Sequence, residues 1–140
     1  MTAQYLESSA AVAWLFGESS ASDVMRRMDE AEVVVTSKLT IVEVERAIQR
    51  AIMLKLIKEA SAQTLRGLLA RERKKWITMG LTESVLARAG SAFPIEPVKT
   101  LDAIHLATAL AFAAEFPEIG MLVLDRRLSA NATALGLATV

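Results

Sequence analysis

Four acidic side chains stand at positions that their surroundings do not obviously want: Glu7, Glu43, Asp102 and Asp125. Glu7 closes the short apolar run Gln4-Tyr5-Leu6, and Asp125 closes another, Met121-Leu122-Val123-Leu124. If both runs are strands of an open parallel sheet, ligands bind outside their carboxyl ends, and two carboxylates there are placed for chemistry. Each acid alone also has an ordinary explanation, because the dipole favours an acid near a helix N-terminus. Asp102 follows Thr100, which has the chemistry of an N-cap, in Thr100-Leu101-Asp102-Ala103-Ile104-His105-Leu106. Yet that helix is apolar on nearly every side and is therefore mostly buried. A carboxylate on a buried helix must find hydrogen bonds, a cation or a metal. Glu43 lies nearly two turns into a helix that Ser37 can cap, beyond easy reach of a capping explanation. Its ordinary role would be a surface pair with Arg46 at i+3, worth roughly 0.2–0.5 kcal/mol. Glu45 is the more typical exposed acid of the two.

Four carboxylates that converge without partners repel one another. A hard divalent cation relieves that repulsion, and Mg²⁺ and Mn²⁺ prefer oxygen ligands while keeping several waters. One or two such ions, if two then about 4 Å apart, activate water and stabilise an in-line phosphoryl displacement. Two other chemistries suit an all-carboxylate site. A glycosidase needs a carboxylate pair and a sugar cleft, but aromatic residues make up only 5% of the chain. Structural Ca²⁺ binding would want an EF-hand loop, and none is present.

Composition narrows the remaining classes. With no cysteine there is neither disulfide scaffold nor thiolate chemistry, and one histidine argues against a His-rich zinc site. The 16 basic and 16 acidic side chains cancel, so nonspecific attraction to nucleic acid rests on local patches. The six glycines form neither G-x-G-x-x-G nor a P-loop. The opening MTAQYLESSA lacks a basic region ahead of an apolar stretch, so no secretory signal is expected. The longest apolar run, Ala103 to Ala114, is too short to cross a membrane. The expectation is one compact domain over residues 1–140, soluble and cytoplasmic.

The elements that must position the acids alternate along the chain. Strand character appears at Gln4-Leu6, Val33-Thr36, Trp76-Met79, Met121-Leu124 and Leu137-Val140. Little hydrophobic alternation within these runs suits strands buried on both faces. Helical patterns are predicted over Ser9–Phe16, Ser22–Asp29, Lys38 to about Lys55, Glu59–Lys75, Glu83–Ala92, Thr100–Phe116 and Arg126–Leu135. About five strands and seven helices in alternation predict an α/β three-layer sandwich around a central parallel sheet. Phe93-Pro94-Ile95-Glu96-Pro97 reads as a loop inside that domain.

At this point the residues carry a family resemblance. Tyr5-Leu6-Glu7-Ser8-Ser9-Ala10 resembles the opening of PIN-domain proteins. Thr36 to Val44 is similar to their second acidic motif, and Thr100 to Ala109 to the third. Leu124-Asp125-Arg126-Arg127-Leu128, followed by Gly136-Leu137, is similar to the fourth motif and closing strand. The four lie in the family's order over essentially the whole chain, and the subgroup they resemble is the VapC-type toxin of toxin–antitoxin pairs. The resemblance implies a Mg²⁺- or Mn²⁺-dependent endoribonuclease that cleaves RNA phosphodiesters with metal-activated water. It implies Glu7, Glu43, Asp102 and Asp125 as catalytic residues and metal ligands, with Ser9 or Ser8 as a hydroxyl behind the metal. It also implies a small cognate antitoxin and a homodimer, while the lack of a long apolar run leads us to expect no membrane partner. Glu7 stands where the family more often has Asp, and the extra methylene would shift the ion or its water. That substitution motivates an alternative expectation, a noncatalytic PIN domain acting as a binding or scaffold module.

Other features carry weaker expectations. His105, three residues after Asp102, reads as a hydrogen-bonded core residue more readily than a catalytic one. The run Arg71, Arg73, Lys74 and Lys75 reads as a solvated face before an RNA contact. Arg126 or Arg127 could balance the acids or hold a phosphate. Trp14, Leu15 and Phe16 read as core or dimer surface.

Overall fold

β-branched and apolar segments build a five-stranded, all-parallel sheet in the order β3-β2-β1-β4-β5. The coordinates are a computed structural model describing residues 2–139. The strands are β1 (Ala3–Leu6), β2 (Val33–Ser37), β3 (Ile77–Met79), β4 (Gly120–Leu122) and β5 (Ala138–Thr139). Val140, expected in the closing strand, lies outside the described residues. Seven α-helices join the strands: α1 (Ser8–Phe16), α2 (Ala21–Glu30), α3 (Lys38–Met53), α4 (Glu59–Glu72), α5 (Glu83–Ala89), α6 (Thr100–Ala113) and α7 (Arg126–Ala134). The α/β architecture with a central parallel sheet therefore holds.

Side chains of a strand alternate between faces, and here both faces are covered. Leu6, Val34 and Leu122 point into a core with Trp14, Ile41, Val44 and Ile48 of α1 and α3. Tyr5, Val35 and Met121 point into the opposite core, against Leu106 and Phe112 of α6 and Leu128 of α7. The apolar runs of the inner strands β1, β2 and β4 lack alternation because both of their faces are covered. Trp14 is buried against Trp76, ring centroids 5.9 Å apart, and so belongs to the core.

Helix ends differ from the sequence expectation for local reasons. The stretch expected as one helix to Lys75 leaves α geometry at Glu72 and tightens into a 3₁₀ turn at Arg73–Lys75, a common way for a helix to finish. Helix α6 stops at Ala113, ahead of Pro117, which disfavours helix at Phe116. Thr100 is the first residue of α6 rather than its cap; Lys99 occupies the cap position, without a side-chain bond. Helix α1 closes on Gly17, whose φ of 66° lets its N–H reach back to Ala13 and Trp14.

Strand order reverses between β1 and β4. The chain builds outward from β1 through β2 to β3, then returns to the other side of β1 with β4 and β5. A crevice opens at such a switch point, at the carboxyl ends of the strands.

A candidate active site at the sheet's switch point

Each acid reaches that crevice by a different route. Glu7 follows β1 directly, and its N–H bonds the carbonyl of Leu122 (3.0 Å), which extends the β1–β4 ladder by one step. Its side chain is the N-cap of α1, with Oε2 accepting from Ser9 N–H (2.8 Å) and from the Ser9 hydroxyl. Ser9 Oγ in turn accepts from Leu124 N–H (2.9 Å), so one hydroxyl links Glu7 to the segment leaving β4. Asp125 is the N-cap of α7, with Oδ1 accepting from Leu128 N–H (2.9 Å). The ordinary capping explanation is thus correct for both residues, and it leaves their second oxygens uncommitted.

Glu43 is displayed from α3. Ser37 caps this helix through Leu39 N–H (3.0 Å), and Thr36 and Thr40 anchor its start to the Leu6 carbonyl at 2.6 and 3.3 Å. Ile41, Val44 and Ile48 bury one face, which turns Glu43 toward α1 and α6. No ion pair with Arg46 forms among the described residues. Glu43 Oε1 instead accepts from Ser8 Oγ (2.5 Å) and meets His105 Nε2 (2.5 Å). Asp102 is half-buried in the first turn of α6.

All four carboxylates line one open concavity of about 450 Å³, together with Ser8, Ser9 and Glu18. Glu18 is a fifth acid that sequence reasoning missed; it sits just after the α1 cap, in no motif. Arg126 lies next door. With Lys99, Asp102 and Asp125 it lines an adjoining cleft of about 270 Å³, walled by the loop from Ile95 to Val98. Two hydrogen bonds between Asn131 and the Ile95 backbone, at 2.9 and 2.8 Å, pin that loop. Of the basic run, Lys75 pairs with Glu72 (3.1 Å) and Arg73 with Glu45 (4.0 Å), on the solvated surface the sequence suggested.

Behind the acids lies a polar network inside the core. His105 is fully buried. Its Nε2 meets Glu43, its Nδ1 meets the Tyr5 hydroxyl at 2.7 Å, and Ser8 Oγ approaches Nε2 at 2.9 Å. The expectation of a hydrogen-bonded core histidine was right, but Tyr5 carried no signal. Tyr5 and His105 are 100 positions apart, and nothing in either local sequence announces the other.

The charges bear the marks of crowding. Burial, then the neighbouring Asp125 and Glu43, push the Asp102 carboxyl above its ordinary range. Burial, with a further contribution from Glu43, raises Glu7 despite its bonds from Ser9. Burial also acts to raise Glu43, but the hydrogen bonds from His105 and Ser8 outweigh it and hold the group below the usual carboxylate range. The Tyr5 phenol is pushed far up, chiefly by burial.

A hard divalent cation fits this donor set in chemistry. Every donor is a carboxylate oxygen, and both the burial that chiefly raises Glu7 and Asp102 and the repulsion that adds to it disfavour bare charge that a cation would neutralise. Among the described residues, no three His, Cys, Asp or Glu side chains gather tightly enough to hold one ion by themselves. Such an ion would therefore keep much of its water, as Mg²⁺ does.

A PIN-domain family model matches residues 5–132. The chain is 31% identical over 138 residues to Ribonuclease VapC35 of Mycobacterium tuberculosis, covering 97% of this chain and 94% of that protein. Solved structures share the fold at lower identity. The Mycobacterium tuberculosis VapC20 toxin, which cleaves the sarcin–ricin loop, matches with a TM-score of 0.66 at 15% identity, covering 91% of this chain and 93% of that one. VapBC2 of Rickettsia felis, bound to a DNA fragment from its promoter, matches with a TM-score of 0.66 at 8% identity, covering 99% and 97%.

Proposed function

Since the chain belongs to the PIN-domain family, we propose that it is a VapC-type, Mg²⁺- or Mn²⁺-dependent endoribonuclease, the toxin of a toxin–antitoxin pair. The observation that carries this reading is the meeting of Glu7, Glu43, Asp102 and Asp125 on one concavity at the switch point of a parallel sheet. In this reading the four acids are the catalytic residues and hold the metal. When bound, the ion neutralises the carboxylates, polarises the scissile phosphate and makes water nucleophilic near neutral pH.

The chain's own residues do the rest. Ser9 fixes Glu7 and ties it to Leu124, while Ser8 and His105 fix Glu43, so the acids are oriented before substrate arrives. Lys99 and Arg126 have no carboxylate within ion-pair distance among the described residues. They border Asp102 and Asp125 in the adjoining cleft, where they would hold a flanking phosphate of single-stranded RNA. The cleft's amide, Asn131, is spent on the loop backbone.

The domain spans residues 1–140 in this reading, works in the cytoplasm as a homodimer, and is held in check by a cognate antitoxin. Among the described residues no helix is long and apolar enough to cross a membrane.

The test is cleavage of a structured RNA pool by purified protein in Mg²⁺ or Mn²⁺, with chelator and Asp102→Asn as controls. Cleavage that needs both the metal and Asp102 supports the reading. RNA binding without cleavage in either metal, by protein that Mn²⁺ fails to stabilise thermally, would transfer the chain to the noncatalytic binding module.

A further inference from the structure

Three of the four carboxylates share a trait. Each has one oxygen held by the protein and the other without a hydrogen-bond partner among the described residues. Glu7 commits Oε2 to Ser9, Asp125 commits Oδ1 to Leu128, and Glu43 commits Oε1 to Ser8 and His105. Glu7 and Asp125 obtain their donors from the free N–H groups of the helices they cap. Glu43 has no such source, because the backbone N–H groups around it are bonded to carbonyls one turn back. Its orientation comes from side chains on two other elements, α1 and α6.

The direction of the bonds can be worked out from donor and acceptor capacity. A carboxylate only accepts, so His105 Nε2 carries the hydrogen that faces Glu43. In the neutral ring Nδ1 is then the acceptor, and the Tyr5 hydroxyl donates to it at 2.7 Å. Tyr5 and His105 are both fully buried, so water does not replace the bond between them. The result is a one-way relay: Tyr5 O–H to His105 Nδ1, then His105 Nε2–H to Glu43 Oε1.

We propose that His105, backed by Tyr5, is a positioning residue that locks the Glu43 carboxylate so that Oε2 alone is offered to a divalent cation. This rests on the metal-dependent reading above. A glutamate side chain loses rotamer freedom when it is ordered, and the buried relay imposes that order in advance of the ion. Partners standing behind metal ligands commonly contribute 10–100-fold in affinity.

The test is Mn²⁺ titration by calorimetry on the full chain, with metal-free melting temperatures recorded in parallel. His105→Leu is expected to weaken Mn²⁺ binding about 10–100-fold. His105→Gln, whose amide N–H can replace the Nε2 donor, recovers most of that loss. Tyr5→Phe weakens binding less, in the same direction, because the ring is no longer held in one tautomer. A merely structural histidine would lower the melting temperature and leave the affinity of the folded protein unmoved, and that result overturns the proposal. If His105→Leu does not fold, Tyr5→Phe and Ser8→Ala decide, and parental Mn²⁺ affinity in both overturns it equally. A parent chain that binds no Mn²⁺ overturns the metal reading beneath, a different outcome from a parent that binds beside indifferent variants.

Discussion

The two walls of the concavity carry the same kind of side chain under opposite constraints. On the α1–α3 wall, Glu7 is 5% exposed and Glu43 half-buried, and each accepts from two donors. On the α6–α7 wall, Asp125 is exposed with a single backbone donor, and Asp102 has no hydrogen-bond partner among the described residues. The contrast separates two ways of holding charge. Glu43 is stabilised as an anion by donors that outweigh its burial, whereas Asp102 has no donor among the described residues and is raised first by burial and then by the repulsion of Asp125 and Glu43. Glu7 shows that donors do not always win: it is bonded to Ser9, yet deeper burial still raises it. One wall is arranged in advance; the other is where uncompensated charge waits for a partner.

Breaking the open wall should have the largest effect on activity. Asp102→Asn is expected to lower metal-dependent RNA cleavage by more than about 100-fold, or roughly 2.7 kcal/mol of barrier. Its metal-free melting temperature should stay level or rise, because a repelling charge leaves the neighbourhood of Asp125 and Glu43. Undiminished cleavage would remove Asp102 from the site. The arranged wall should respond the other way, in stability. Glu43→Ala deprives Ser8 and buried His105 of their acceptor, and denaturant unfolding should register a loss of about 1–3 kcal/mol. A stability equal to the parent's would mean the network holds nothing in place.

Glu7 sharpens the comparison because it can be altered in charge or in reach. Glu7→Asp keeps both the charge and the cap, so cleavage should stay within about tenfold, or roughly 1.4 kcal/mol. Glu7→Gln keeps the length and loses the charge, and should cost cleavage and Mn²⁺ affinity much more. Equal activity in the two variants would leave Glu7 as a helix cap alone.

The smallest effect is in pH. Glu7 and Asp102 have folded-state values above their unfolded ones, so the native state binds these protons more tightly than the unfolded chain does. Their contribution to stability therefore grows as pH falls from neutral through the raised values, and levels off below the ordinary carboxylate range near 4. Glu43 acts in reverse, but only at lower pH, since its folded value is depressed. The metal-free parent should gain thermal stability on mild acidification relative to a Glu7→Gln/Asp102→Asn double variant. Identical pH profiles for the two would show that neither group is perturbed.

Much of the fold was legible from local chemistry. Val33-Val34-Val35-Thr36 favours a strand whatever surrounds it, Ser37 supplies a cap, and Gly17 supplies the left-handed residue that ends α1. Alternation of such segments points to a parallel sheet, because parallel strands need crossovers between them. The four acids could be singled out from their settings, Glu7 and Asp125 at the ends of apolar runs, Asp102 on a helix apolar on nearly every side and Glu43 beyond easy reach of a cap, although each taken alone also had an ordinary explanation. Local reading failed where competing local rules were close in strength. The start of α6 could take its cap from Thr100 or one residue earlier, and in the fold Lys99 holds that position.

The sequence by itself therefore determined the elements, their order, and which charged side chains sit oddly upon them. Tertiary structure alone decided what those side chains do to one another. Ser8 turns to Glu43 while Ser9 turns to Glu7, although the two serines are adjacent. Glu18 joins the acids from a loop. Tyr5 and Glu43 meet through a histidine 100 residues from one and 62 from the other. Periodicity and capping act over one or two turns, so they reveal an element and its faces. Which oxygen of a carboxylate is held and which is left free depends on donors brought from distant segments by the closing of the core, and no local pattern encodes that.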